Sequence, residues 1–247
     1  MQRKDLPTLL SEGVLDPSTA ALLWLLLEGR VPLIVDAIST LGGMPLPVYE
    51  WGIDVCVTVG NKCLAGPIGL VPVSVSERAC EHMERKREGA YGWYLNLRTW
   101  IDYKTLWGPH HPYPTTLPTH NILGLLASLR LIEEQGLEAY YARHVEAARY
   151  VRAGLKRMGF VMLMSEANAS PLITTARRLP GMDVEDLRHY LLEEWQIMIG
   201  GGIHGGLRGE IFRVGHIGKA ASVEYCELFL EGVEAYLKLQ SYDVPTA

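Results

Sequence analysis

VPLIVDAISTLGGMPLPVYEWGIDVCVTVGNKCLAGPIGLVPVSVS, residues 31–76, is the stretch on which the fold turns. Three apolar runs, Val31–Val35, Ile53–Val59 and Gly69–Val75, are separated by turn-forming residues. Runs this uniformly apolar predict strands in a sheet covered on both faces, as in α/β proteins. Asp36 closes the first run, and Lys62 follows the second inside Gly60-Asn61-Lys62. In an open sheet both would stand at the carboxyl edge, where ligands bind.

An acid and a lysine at such an edge can be a structural ion pair, or a strand-end acid beside a solvated lysine. The other reading is a pyridoxal phosphate site. There a lysine amine joins the cofactor aldehyde covalently. A carboxylate pairs with the pyridinium nitrogen and keeps it protonated, so the ring accepts electrons from a substrate carbanion. Spacing by itself leaves both readings open.

Val35–Gly43, Trp51–Val55, Gly60–Gly69, His111–Pro118 and Gly209–Gly218 together resemble the class V aminotransferases, which are fold-type I pyridoxal phosphate enzymes. The nearest branch is that of alanine/serine–glyoxylate and ureidoglycine–glyoxylate aminotransferases, and the resemblance runs from about Gly13 onward. It implies an α/β chain: the C-terminal part of a fold-type I large domain, a partial sheet with helices on both faces, then a small α+β domain. Residues 1–118 would be the partial cofactor-binding domain, 119–136 a connecting helix and 137–247 the small domain.

The resemblance also implies roles. Lys62 is the catalytic lysine, and Asp36 the partner of the pyridinium nitrogen. Ser39 and Asn61 are polar cofactor neighbours, although Asn61 stands where the family usually has glutamine or histidine. Tyr113 and Thr116 match residues that reach the partner subunit's cofactor phosphate in the family's dimers. Arg213 matches the arginine that holds the substrate carboxylate, a task suited to guanidinium geometry. The expected reaction is amino transfer from a small amino acid, such as alanine or serine, to glyoxylate or pyruvate. His216 is expected to pack rather than to touch substrate.

The family's phosphate-cradling turn and its ring-stacking aromatic lie well upstream of the aspartate, and here only 35 residues precede Asp36. A bound phosphate rests on backbone amides at a helix N-terminus. The chain is therefore expected not to hold the cofactor or transaminate alone. It would act as a homodimer or with a separately encoded N-terminal half. Two classes stay open at this point: a catalytic subunit of a split transaminase, or a non-catalytic remnant or binding subunit that keeps the dimerisation surface.

The 247 residues are 48% hydrophobic and 21% charged, ordinary for a soluble globular protein. A net charge of −5 without a basic run gives no reason to expect nucleic acid or a membrane surface. Ala20–Leu27 is too short to span a bilayer. The four cysteines lack metal-ligand spacing, and His110-His111 lacks a third ligand, so no metal is expected. Reduced thiols and no signal-peptide pattern make the cytoplasm the expected compartment.

Periodicity and capping signals predict the remaining elements. A helix opens at Asp16-Pro17, and a polar helix capped by Ser76 runs to Glu84–Arg87. Tyr91–Leu97 with Trp100, Tyr103 and Trp107 forms an aromatic segment, read as core or dimer packing. Residues 108–118 stay extended under their prolines. Helices are expected over Thr119–Gln135 (closed by Gly136), Leu137–Met158, Val184–Glu194 and Ser222–Leu239. Strands are expected over Phe160–Met164, Leu172–Ala176, Ile197–Ile199 and Ile211–Val214. The glycine-rich run Gly200–Gly206 is read as a flexible loop over the substrate.

Overall fold

The computed structural model describes residues 31–85 and 92–242. The helix expected from Asp16, and the continuation of the polar helix past 85, lie outside the described residues. The chain forms two compact units. The first includes Leu46–Gly60 and Pro67–Leu126 with the segment ending at Ile38; the second gathers Ser39–Pro45, Asn61–Gly66 and everything from Ala127.

In the first unit, β1 (Ile34–Asp36), β2 (Val55–Val57) and β3 (Val73–Val75) make a sheet in that order. β1 and β2 are parallel, with Asp36 opposite Val57, and β3 runs antiparallel to β2. The strands are much shorter than the apolar runs that predicted them. The flanking residues are drawn into other bonds: Ile53 N–H goes to Val48 O, and Gly60 N–H to Leu70 O. Nor is the sheet covered on both faces within this unit, since Ile34 is 67% exposed and Val73 39%. Apolar composition reported a surface that wants covering, not one that this unit covers.

Asp54, just before β2, ties the unit together. Its side chain is 2% exposed. It accepts from Leu33 N–H at 2.8 Å, Ser76 Oγ at 2.6 Å and Arg78 Nε at 2.9 Å, and Arg78 Nη2 completes an ion pair. Ser76 Oγ in turn takes the Ala79 N–H at 3.0 Å and so caps α1 (Glu77–Arg85), as its hydroxyl predicts. One carboxylate thus joins the approach to β1, the start of β2 and the N-terminus of α1.

α2 (Leu97–Trp107) begins at Asn96, whose side chain accepts from Arg98 N–H at 3.0 Å. It buries no residue fully, and Trp93, Tyr94, Leu95, Leu106 and Trp107 are exposed. The aromatic segment is therefore not core within this chain. In the loop after it, the Tyr113 ring lies tilted against His111, 4.6 Å between ring centres. α3 (Thr119–Gln135) buries only Ile132.

The second unit has the larger core. α4 (Leu137–Arg157), α5 (Val184–Trp195) and α6 (Val223–Leu239) bury Val151, Leu155, Leu187, Leu191, Val233 and Leu237 with Phe212 of the sheet. That sheet is antiparallel, ordered β4 (Ile173–Arg177), β6 (Ile211–Gly215), β5 (Gly200–Gly201). Thr175 faces Arg213, which faces Gly200 on its other side.

Two expectations fail here. Phe160–Met164 is not a strand but a single bridge, Met162 to Ala176, after which Asn168 N–H closes a turn on Ser165 O. Ile197–Ile199 is not a strand either: Gln196 takes a left-handed conformation, and Ile197 N–H caps α5 through Leu191 O. The strand is formed by Gly200–Gly201 instead, so the glycine run begins as sheet rather than loop. A Cβ on Gly200 would lie 3.3 Å from Arg213 Nη2, which favours glycine beside that side chain.

Arg78 beside Asp54 holds its carboxyl down at about 2, below the ordinary value near 4. A depressed folded-state pKa contributes stability above the unfolded value, and that contribution disappears as pH falls from about 4 toward 2. Asp54→Asn is expected to cost roughly 2–4 kcal/mol at pH 7, because Arg78 loses its buried partner. Urea unfolding of both proteins from pH 7 to 3 checks this: the gap should be constant above pH 5 and shrink below it.

Candidate functional site

Past β2 the chain enters the turn Asn61–Gly66, closed by Ala65 N–H on Lys62 O at 2.9 Å. The segment Ser39–Pro45 makes its own turn, with Gly43 N–H and Met44 N–H both on Thr40 O. The two segments meet through consecutive residues. Lys62 Nζ donates to Ser39 Oγ at 2.8 Å, and Cys63 Sγ lies 3.4 Å from Ser39 O. Cys63 is buried and Lys62 half-buried, so the turn points its thiol inward and leaves the amine accessible.

Three features hold that orientation. A Cβ on Gly43 would stand 2.7 Å from Cys63 Sγ, so the chain passes only because a glycine is there. Tyr140, on the buried face of α4, donates its hydroxyl to Cys63 O at 2.6 Å. Ser128 Oγ in α3 donates to Ala65 O at 2.9 Å. Tyr140 and Ser128 were not singled out in the sequence; the only signal was Tyr140's place on the buried side of an amphipathic helix.

The other expected residues divide. Asp36 is exposed at the end of β1, with Oδ1 accepting Ile38 N–H at 2.9 Å. Asn61 is exposed, Tyr113 half-buried against His111, and Thr116 exposed. Arg213 is half-buried in β6, and its Nε donates to Gly201 O at 2.8 Å. Its two Nη groups make no bond to the described residues. His216 is 1% exposed, with Nε2 2.9 Å from Thr174 Oγ1. Burial pushes its pKa down to about 4, so it packs as a neutral ring.

The arrangement offers an accessible primary amine held by a neutral hydroxyl, and a guanidinium whose fork is available to a carboxylate. An amine of this kind can add to a carbonyl carbon, and such a fork binds a carboxylate in two-pronged fashion. Asp36, in the first unit, is an accessible carboxylate of the kind that pairs with a cationic ring nitrogen. The chemical types of these groups fit pyridoxal phosphate: an amine for an aldehyde carbon, a carboxylate for a ring nitrogen.

A family model described as aminotransferase class-V matches residues 13–215. The chain is 35% identical over 194 residues to a pyridoxamine–pyruvate transaminase of Mesorhizobium japonicum, covering 78% of this chain and 48% of that protein. Among solved structures it resembles an alanine–glyoxylate aminotransferase from Nostoc sp., with TM-score 0.81, 30% identity, and 87% and 56% of the two chains covered. A ureidoglycine–glyoxylate aminotransferase from Bacillus subtilis matches with TM-score 0.81 and 28% identity over 91% and 57%. The chain spans about half the length of the curated relatives it matches.

Burial raises the Cys63 thiol to about 11, which leaves almost no thiolate at pH 8. Iodoacetamide at pH 8 should therefore alkylate the half-buried Cys80 in the folded protein and spare Cys63 until denaturant is added. Peptide mass mapping reads this directly, and early labelling of Cys63 would mean that the turn does not point its thiol inward.

Proposed function

The chain belongs to the class-V aminotransferase family, and from that premise we propose that it works as a subunit of a pyridoxal phosphate-dependent aminotransferase. It moves the amino group of a small amino acid, such as alanine or serine, to a 2-oxo acid of the glyoxylate or pyruvate type. The observation that carries this reading is the pairing, within one compact unit, of the accessible Lys62 amine and the unused Nη groups of Arg213. An amine and a carboxylate-binding fork are what amino-acid chemistry on an aldehyde cofactor requires.

When bound, pyridoxal phosphate supplies an electron-withdrawing ring that stabilises negative charge at the substrate's α-carbon. In this reading Arg213 holds the α-carboxylate and orients the donor. Ser39 keeps the Lys62 amine in place, and Lys62 takes and returns the proton at the α-carbon. Asp36 accepts the hydrogen bond of the ring nitrogen and keeps its proton there. Asn61 contributes a polar contact to the phosphate, and Tyr113 and Thr116 reach that of a partner subunit. We keep 1–118, 119–136 and 137–247 as the functional division into cofactor part, connection and substrate-closing part.

The family's remaining cofactor contacts come, in this reading, from a complementary N-terminal polypeptide, and the assembly pairs as a dimer. Support lies in the exposed apolar side chains of Ile34 in β1 and of Leu123 and Leu131 in α3, since surfaces of this kind mark association sites. All four cysteines are free, which supports a cytoplasmic location. No described helix is long and apolar enough to cross a membrane.

The test is transamination from alanine to glyoxylate, followed through pyruvate, by the chain alone and after co-expression with the N-terminal half of a relative. Turnover is expected only in the complemented sample. There, Arg213→Ala should raise the half-saturating alanine concentration about tenfold or more, the loss of a charge-assisted pair. An unchanged value would remove Arg213 from substrate binding, and absence of turnover from the complemented wild type would overturn the catalytic reading.

A further inference from the structure

On α4, Tyr140, Arg143 and His144 follow at helical spacing and share one face. His144 is completely buried. Its Nδ1 lies 2.8 Å from Tyr140 O, and a carbonyl can only accept, so Nδ1 carries the proton. That leaves the Nε2 lone pair, and Gly218 N–H donates to it at 3.2 Å. Arg143 Nη2 donates to Gly218 O at 3.0 Å. Adjacent residues of one helix therefore hold both backbone polar groups of Gly218. Burial pushes the His144 pKa down, which keeps the ring in the neutral form that can accept.

Gly218 lies directly against the lysine turn. Its φ is +58°, and a Cβ there would stand 2.8 Å from Lys62 O. The same helix face grips the next carbonyl, that of Cys63, through Tyr140. The Arg143 guanidinium lies over the Tyr140 ring at 4.5 Å. Gly218 also follows Arg213 by five residues along the chain that leaves β6.

We infer that His144 is a positioning residue: by fixing Gly218 behind Lys62 O, it holds the lysine turn and the Arg213 strand at a set offset, so that amine and carboxylate site stay in register. The inference rests on the proposed roles of Lys62 and Arg213, while the clamp itself can be measured without turnover. His144 touches neither substrate nor cofactor and acts through the Gly218 backbone.

Hydrogen exchange on the whole chain, read by mass spectrometry, compares wild type with His144→Phe, which keeps the ring volume without the acceptor, and with His144→Gln, whose amide can accept from Gly218 N–H. In His144→Phe, amides of 61–66 and 217–220 should exchange about tenfold faster, as loss of a buried hydrogen bond implies, while those of β4 and β6 keep wild-type rates. Reductive methylation of Lys62 relative to Lys104 should change in parallel, and His144→Gln should restore both readouts. Acceleration spread evenly over the second unit, unchanged exchange at 61–66, or no restoration by glutamine overturns the clamp. If His144→Phe does not fold, the imidazole 15N shifts of the wild-type chain replace it: Nδ1 protonated with Nε2 accepting is expected, and the reverse tautomer removes the bond to Gly218 N–H and overturns the clamp. Should the clamp respond as expected while borohydride fails to fix pyridoxal phosphate on Lys62 in the complemented enzyme, the functional reading falls and the clamp stands.

Discussion

The hydrogen bond from Tyr140 to Cys63 O is the constraint on which the site's geometry depends. A carbonyl buried in a turn must find a donor, and α4 supplies one from its apolar face. Once that carbonyl is held and the thiol is packed against Gly43, the adjacent side chain is directed the other way. Lys62 is left half-buried with a hydroxyl as its partner. The Lys62 amine is thus oriented by buried residues on either side of it, and its mobility is limited by their burial.

Asp54 plays the comparable part in the first unit, by a different means. There, short strands with exposed faces contribute little apolar burial, and a buried carboxylate with four bonds joins three segments that would otherwise be loosely tied. The two units therefore rest on different physics. The second has a continuous apolar core around Leu155, Leu187 and Phe212, whereas the first leans on polar ties and leaves Ile34, Trp93, Leu106 and Trp107 uncovered. Surfaces of that kind agree with a chain spanning about half of its relatives' length.

Much of the chain from Thr119 onward was legible beforehand because its helices are long and strongly periodic. Thr119–Gln135 matches its forecast bounds, and Leu137–Arg157 and Val184–Trp195 match theirs within a residue at the C-terminal end. The failures are local contests that periodicity cannot see. Ile197 looks like the start of a strand, but its N–H is taken by the end of α5, so pairing shifts to the glycines that follow. Val161 and Met164 look apolar enough for a strand, yet both are exposed and only Met162 bridges to Ala176.

Sequence by itself determined the family and named the candidate groups, because Asp36, Ser39, Asn61, Lys62, Tyr113, Thr116 and Arg213 stand in ordered motifs whose spacing survives without coordinates. Tertiary structure decided which of them have partners and what holds them. Ser39 lies 23 residues from Lys62, Tyr140 77 from Cys63, and Gly218 74 from His144. Contacts over such separations leave no periodic trace, since each depends on where a helix face meets a turn in space. A histidine and a tyrosine on an amphipathic helix read as core until folding brings the lysine turn against them.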